Sequence, residues 1–293
     1  MIIYGLDHVE DLLKGPVHLA IGTFDGVHVG HQKLIKSAIK EARQSNGISV
    51  VLTFWPHPSH FFNPSSPVPT IMSGEIKNHF LEEQGVDIVI QQKFTDEFAH
   101  LSPEDFVKLL MKVFPELKAI YAGNDFRFGY QRQGDISFLE RIGKVLDFSV
   151  VKQKNVSYKG KRISSTRIRE ALQTGNIKEA NIMLGYPYFS MGLVVTAASP
   201  LSIVWRPEVK PKFGTYDIKV HSRNRTKKYE GIGYYGNNLE FPDNENPRLE
   251  IYLPEPTELG PADALTIEWF QFLNPESKYD SKVTLIHNSG TPN

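Results

Sequence analysis

The sequence predicts an α/β domain built on a parallel sheet, followed by a smaller antiparallel β domain. Three observations carry that reading. Short apolar runs alternate with amphipathic stretches through the first half of the chain, which implies strands joined by helices on both faces of one sheet. After about Tyr186 the long helical patterns stop and short β-rich runs take over. Those runs are densely punctuated by Pro200, Pro207, Pro211, Gly214, Pro242, Pro247, Pro254 and Pro256, the texture of a small barrel or sandwich. A length of 293 residues suits two domains. The boundary is expected near 185–190, giving domains 1–186 and 187–293.

Each element follows from its local pattern. VHLAIG (17–22) reads as a buried strand, and from His31 onward Leu34, Ile35, Ala38, Ile39 and Ala42 recur at helical spacing. ISVVLTF (48–54), VDIVIQQ (86–92) and LKAIYAG (117–123) are the next strands. Helices are predicted over 73–84 and 102–113, the second opened by Ser102-Pro103-Glu104-Asp105. A helix near 135–146 and a strand near 148–152 complete the first domain. In the second, GLVVTAA, GTYDIKVH, YEGIGYYG, RLEIYL and LTIEWFQF are the strands, and the tail HNSGTPN is expected to be loose. There is no internal repeat.

Composition narrows the chemistry. Lys+Arg and Asp+Glu are equal at 33 each, so no global field calls for nucleic acid or an acidic membrane. The chain has no cysteine, which removes disulfides, thiolate metal sites and a cysteine nucleophile. The start MIIYGLDHVE has no apolar signal core, and no apolar run approaches the roughly 20 residues of a membrane helix. A cytoplasmic protein without nucleic-acid or membrane partners is the expectation; the oligomeric state is not legible.

The segment GTFDGVHVGHQKL (22–34) joins the first strand to the first helix, where ligands bind in open α/β sheets. Gly22, Gly26 and Gly30 allow tight turns and close approach to a ligand; Phe24 and Asp25 lie between them and are expected, with Gly22 and Gly30, to border the nucleotide. His28 and His31 stand at the helix start, where free N–H groups and the dipole suit a phosphate. Nucleotidyl transfer fits such a pair. The attacking phosphate oxygen is already ionised, so positioning and N–H donors matter more than a base. A lone loop histidine is more often an ordinary surface or core residue, and two histidines can bind zinc. The Glu of a helical H-E-x-x-H is missing here, however, and so are thiols; no metal ligands are predicted. A second segment, GKRISSTRIREAL (160–172), places Ser164, Ser165 and Thr166 ahead of a helix with Arg167 and Arg169 in its first turns. Ser and Thr are ordinary helix caps, but basic residues there oppose the dipole. An anion such as pyrophosphate relieves that conflict.

Two further loops follow strands. FWPHPSHFF (54–62) offers Phe54, Pro56, His57, Pro58 and Phe62, and GNDFRFG (123–129) offers Asn124, Asp125, Phe126 and Phe128. Aromatic walls with a few polar groups suit a flat isoalloxazine ring, although phenylalanines in such loops are commonly just core.

Taken in order, GTFDGVHVGH, FWPHP, GNDFRFG and ISSTRIR resemble the adenylyltransferase module of prokaryotic riboflavin kinase/FAD synthetases, an HxGH-type nucleotidyltransferase. The resemblance covers roughly residues 1–186. It implies a Rossmann-like nucleotidyltransferase domain that uses Mg-ATP and FMN to give FAD and pyrophosphate. It places ATP phosphates on His28 and His31, and on Ser164, Ser165, Thr166 and Arg169. It places the flavin beside Pro56, Pro58, Phe62, Asp125 and Phe128. The second domain is similar, more weakly, to the family's kinase barrel, with Glu250 at the position of the catalytic glutamate. Between Gly192 and Phe213 the chain reads LVVTAASPLSIVWRPEVKPK, without the family's Gly-rich turn and PTAN, and the family's C-terminal helix is not evident after Phe272. The expectation is an FAD synthetase whose barrel has lost kinase activity. A bifunctional enzyme, a non-catalytic flavin or nucleotide sensor, and a transferase for another phosphorylated acceptor are the alternatives.

Overall fold

The computed structural model describes residues 1–9, 13–197, 200–205, 209–222, 227–236, 248–254 and 257–274. The expected loose tail HNSGTPN, and any helix past Asn274, lie outside the described residues. The chain forms two compact units, Met1–Ser165 and Thr166–Asn293.

The first unit runs β1 (Ile2–Tyr4), β2 (Val17–Ile21), α1 (Val29–Gln44), β3 (Ile48–Phe54), α2 (Pro58–Phe62), α3 (Gly74–Glu83), β4 (Ile88–Gln92), α4 (Asp96–Ala99) and α5 (Pro103–Val113). It continues with β5 (Leu117–Gly123), β6 (Arg127–Phe128), β7 (Gly134–Asp135), α6 (Ile136–Leu146), β8 (Ser149–Gln153), β9 (Ser157–Tyr158) and β10 (Lys161–Arg162). Six strands form one sheet in the order β1-β4-β3-β2-β5-β8, and every pairing in it is parallel. β2 is central, and all five of its residues are buried, as a strand covered on both faces requires. From β2 the chain steps outward through β3 and β4, then resumes on the other side with β5 and β8. The strand order therefore reverses between β2 and β5, where a crevice opens at the carboxyl edge of such sheets.

The helices start where their caps dictate. Ser73, Ser102 and Asp135 each accept a backbone N–H three residues on, at the starts of α3, α5 and α6. In α1, Leu34, Ile35, Ala38 and Ala42 are buried, and the helix packs along β2, β3 and β5. β1 escapes the sequence pattern because it is a three-residue edge strand, too short to show a period.

The second unit begins within α7 (Ser165–Gln173), whose first residue closes the first unit, and continues with α8 (Ile177–Leu184). Six antiparallel strands follow: β11 (Tyr188–Thr196), β12 (Leu201–Val204), β13 (Gly214–Ser222), β14 (Lys228–Gly236), β15 (Arg248–Tyr252) and β16 (Ala264–Asn274). They close into a barrel in the order β11-β12-β15-β14-β13-β16, with β16 pairing back onto β11. Closure removes sheet edges and decides between barrel and sandwich. β13 shows the required alternation, with Gly214, Tyr216, Ile218 and Val220 buried. The interior centres on Trp269, fully buried, with Trp205 stacked at 4.9 Å and Tyr216 edge-on at 4.9 Å. Its indole N–H donates to Ser190 Oγ at 2.9 Å, so the one polar atom of that ring is satisfied. The α7–α8 pair is tied to this barrel: Asn181 donates to the Trp269 carbonyl at 2.8 Å and accepts from the Tyr188 N–H at 2.7 Å.

Candidate functional site

Because all six strands of the first sheet run parallel, the segments after β2, β3, β4 and β5 leave from one edge. That edge carries 22–34, 54–62, Phe94 and 123–129. Three of the four motifs singled out in the sequence thus converge by topology alone.

The β2–α1 junction is built around two imidazoles. His28 is the N-cap of α1, and its Nδ1 accepts from the Gly30 and His31 backbone N–H groups at 3.2 and 3.3 Å. A ring nitrogen that accepts leaves the proton on Nε2, so neutral His28 presents an Nε2–H donor. Its ring lies over Gly30, where an added Cβ would stand 3.1 Å from the imidazole; glycine keeps that room. The His31 ring stacks on His28 with centroids 3.6 Å apart and planes 15° apart. Phe24, buried and in left-handed backbone conformation, presses edge-on against His31 at 5.3 Å. Burial pushes His28 down to about 4 and His31 well below its ordinary value, with the nearby Arg162 adding in the same direction. Both rings are neutral near pH 7. His31 Nδ1 is buried without a hydrogen-bond partner among the described residues. A buried polar atom in such a place calls for a hydrogen-bond partner, which a bound water, ion or ligand would supply.

Around the pair, the loop is held rather than free. Asp25, buried, accepts the Ile71 N–H at 2.8 Å, and its carbonyl accepts the Ser165 hydroxyl at 2.8 Å. Gly26 has φ +72°, and a Cβ there would meet Ile71 at 2.7 Å. Gly22 donates its N–H to Leu52 O at 3.1 Å. Asn124 and Asp125 are exposed at the end of β5, and Arg162 of the β9–β10 hairpin grips Asp125 Oδ1 at 2.7 Å. Burial pushes the Asp125 carboxyl up, but the guanidinium outweighs it and holds the group below the usual carboxylate range.

The aromatic loops divide. Phe128 is buried against Phe106 and Phe138, at 5.1 and 5.8 Å, with Phe126 stacked on it at 5.6 Å; its ring is committed to the core. Phe54 is buried against Phe94 and Phe98, whereas Phe62 is exposed and packs edge-on to Phe61 and Phe94. His57 caps α2, accepting the Ser59 N–H at 3.2 Å. Pro56 is exposed and Pro58 half-buried beside it. Phe61, Phe94 and Phe98 escaped the sequence reading. Phe61 sat inside a singled-out motif, and Phe94 follows a strand end, the signal that located the other loops.

Ser164 is half-buried at the end of the first unit. Thr166 and Arg169 belong to the second unit, Thr166 exposed and Arg169 buried on α7. Arg167 of the same helix pairs with the Glu179 carboxylate of α8 at 2.5 Å, which accounts for one basic residue of that first turn without a bound phosphate. In the barrel, Glu250 alternates with buried Leu249 and Ile251, so it points outward, and it accepts the Tyr252 hydroxyl at 3.2 Å. Among the described residues no three His, Cys, Asp or Glu side chains gather as a metal site, and no helix is long and apolar enough to cross a membrane.

Comparison with known proteins places this geometry. Residues 12–167 match the family model described as FAD synthetase. The chain belongs to the FAD synthetase family. Its relatives include a protein of Listeria monocytogenes named "Bifunctional riboflavin kinase/FMN adenylyltransferase", 34% identical over 92% of this chain and 87% of its own length. A protein of the same name from Bacillus subtilis is 31% identical over 89% of this chain and 85% of that one. Among solved structures, one titled "Crystal Structure of Macrolide-efflux Protein from Streptococcus pneumoniae" superposes with a TM-score of 0.83 at 27% identity, covering 99% of this chain and 96% of that chain. The family is one of nucleotidyltransferases, and its matched span contains both histidines and all three loops at the sheet edge.

Proposed function

We propose that this chain transfers the adenylyl group of Mg-ATP to FMN, giving FAD and pyrophosphate, and that its barrel does not phosphorylate riboflavin. The observation that carries the first half is the stacked His28–His31 pair at the start of α1, beside the point where the strand order reverses. An FMN phosphate oxygen attacks the α-phosphorus. A new P–O bond forms, the bond to the α–β bridging oxygen breaks, and its electrons leave with pyrophosphate. The nucleophile is ionised already, so the protein's work is to align it and stabilise charge on the α-phosphate. His28 supplies the Nε2–H, His31 the second imidazole, and the α1 N–H groups and dipole the surrounding field. Gly22, Phe24, Asp25 and Gly30 are assigned to the nucleotide, Phe24 and Asp25 also holding the loop, and magnesium arrives as part of Mg-ATP.

The flavin is assigned to the aromatic edge: Phe54, Pro56, His57, Pro58 and Phe62 on one loop, and Asn124, Asp125 and Phe126 on the other; Phe128, expected there from the sequence, instead backs Phe126 from the core. Ser164, Ser165, Thr166 and Arg169 are assigned to the nucleotide phosphates; for Thr166 and Arg169 that rests on sequence resemblance. We take 1–186 as the transfer module and 187–293 as the barrel domain, in a cytoplasmic enzyme. Loss of kinase activity is supported by the interval 193–212, which lacks the PTAN element, since phosphoryl transfer needs donors that cradle the phosphates. The bifunctional reading is favoured by the names of relatives that align over most of the chain, barrel included. The macrolide-efflux title belongs to the other protein and is not carried over.

The test of the histidine assignment uses His28→Asn, which keeps a capping acceptor for α1, and His31→Ala. Each is expected to lower kcat for FAD formation by about 10²–10³ while the FMN Kd stays within about threefold of wild type. Undiminished kcat in both variants overturns the assignment.

A further inference from the structure

Lys77 is a cation in the wrong kind of place. On α3 it occupies the sequence EIKNHF, where a lysine reads as solvent-facing, yet it is only 4% exposed. A buried ammonium is costly unless its protons are satisfied. Here Nζ donates to the Thr23 carbonyl at 3.1 Å and to the Phe54 carbonyl at 3.0 Å. Thr23 belongs to the loop that carries His28, and Phe54 opens the loop that carries Pro56, Pro58 and Phe62. One side chain thus clasps the nucleotide loop and the aromatic loop from below. The charge has three further neighbours: the Trp55 ring, whose centroid lies 5.9 Å away, the buried Asp25 carboxylate, and the His31 imidazole, which Lys77 helps to keep neutral. A close approach fixes the helix that delivers it, since a Cβ on Gly74 would fall 2.6 Å from Trp55.

We propose that Lys77 is a positioning residue that holds the nucleotide loop and the flavin loop in the register adenylyl transfer requires, without touching either substrate. The inference rests on the adenylyltransferase reading above and deepens it. Each loop has its own anchors: Asp25 to Ile71 for the first, and His57 capping α2 for the second. Neither loop depends on Lys77 to exist; what Lys77 adds is their mutual placement. In-line attack tolerates little misalignment, and a shift of about 1 Å costs about 10²-fold in rate. Burial pushes the ammonium down to about 8 against the pull of Asp25, so the group is still mainly charged at pH 7. At that pH it donates to both carbonyls as a cation, and charge-assisted bonds are the stronger kind.

The experiment compares full-length wild type with Lys77→Met, which keeps the length and loses the donors, and Lys77→Gln, which keeps donors and loses the charge. Three readings are taken on each: thermal midpoint, Kd for FMN alone and for Mg with a non-hydrolysable ATP analogue alone, and kcat at saturation. For Lys77→Met the expected result is a kcat lowered at least tenfold, with both single-ligand Kd values within threefold of wild type. Lys77→Gln is expected to recover part of that loss. A folded Met variant with wild-type kcat overturns the proposal. So does a tenfold loss of one ligand's affinity alone, which would make Lys77 part of one pocket rather than a tie between two. If the Met variant does not fold, Lys77→Gln decides by the same criteria, and failure of both to fold assigns Lys77 to stability alone. Wild-type protein that makes no FAD overturns the underlying reading instead, a result separate from any of these.

Discussion

At the residue scale, the two site histidines are held neutral, and this has a consequence for stability. His28 sits at about 4 in the folded chain because it is buried, while an unfolded histidine titrates near 6.5. Between those values the unfolded chain binds more protons, so folding stability falls as pH falls through that window. The loss attributable to His28 is about 2 kcal/mol between pH 7 and pH 5, and His31 acts in the same direction. Urea unfolding at the two pH values is expected to show the wild-type midpoint dropping, and His28→Asn dropping less. Equal drops in both proteins contradict the assigned protonation. In the proposed adenylyl transfer the same neutrality serves the chemistry. A neutral Nε2–H donor at a helix start receives a polyanion without first repelling its own helix dipole, and the bound phosphates then favour protonation.

At the element scale, the β2–α1 connection does most of the positioning. Its turn depends on Gly26, at φ +72° with Ile71 closing in. Gly26→Ala combines left-handed backbone strain with a clash, an expected cost of about 1–3 kcal/mol. It should also lower turnover, because the turn aims His28; a variant with unchanged thermal midpoint and rate argues against that. Much of this element was legible beforehand. Gly22, Gly30, His28 and His31 announce a tight strand-to-helix turn by spacing alone, and α5 announces itself through Ser102 and Pro103. Other parts were not. Lys77 lies in a polar stretch of α3 and looks like a surface residue until the fold brings two loop carbonyls to it. Phe128 sits in a motif with exposed neighbours, and only packing shows that Phe106 and Phe138 claim its ring. Helical texture also does not say which neighbour a helix packs on: α8 reads as a continuation of the first half, yet Asn181 fastens it to Trp269 of the barrel.

At the scale of the whole molecule, the chain joins a sheet-edge site suited to phosphate chemistry to a closed barrel. The barrel's interior is filled by Trp205, Tyr216, Tyr235 and Trp269, while Glu250 faces outward with Tyr252. The sequence pattern shows five of this barrel's six strands, missing the four-residue β12, and does not show its closure, because closure depends on β16 returning to β11, a pairing that no local pattern encodes. In the proposed function the molecule makes FAD from FMN while its barrel leaves riboflavin unphosphorylated. The most direct test gives the purified full-length protein Mg-ATP with either FMN or riboflavin and separates the products by chromatography. FAD and pyrophosphate are expected from FMN, and no FMN from riboflavin. FMN formed from riboflavin contradicts the claim about the barrel, and absence of FAD from FMN contradicts the claim about the histidine site.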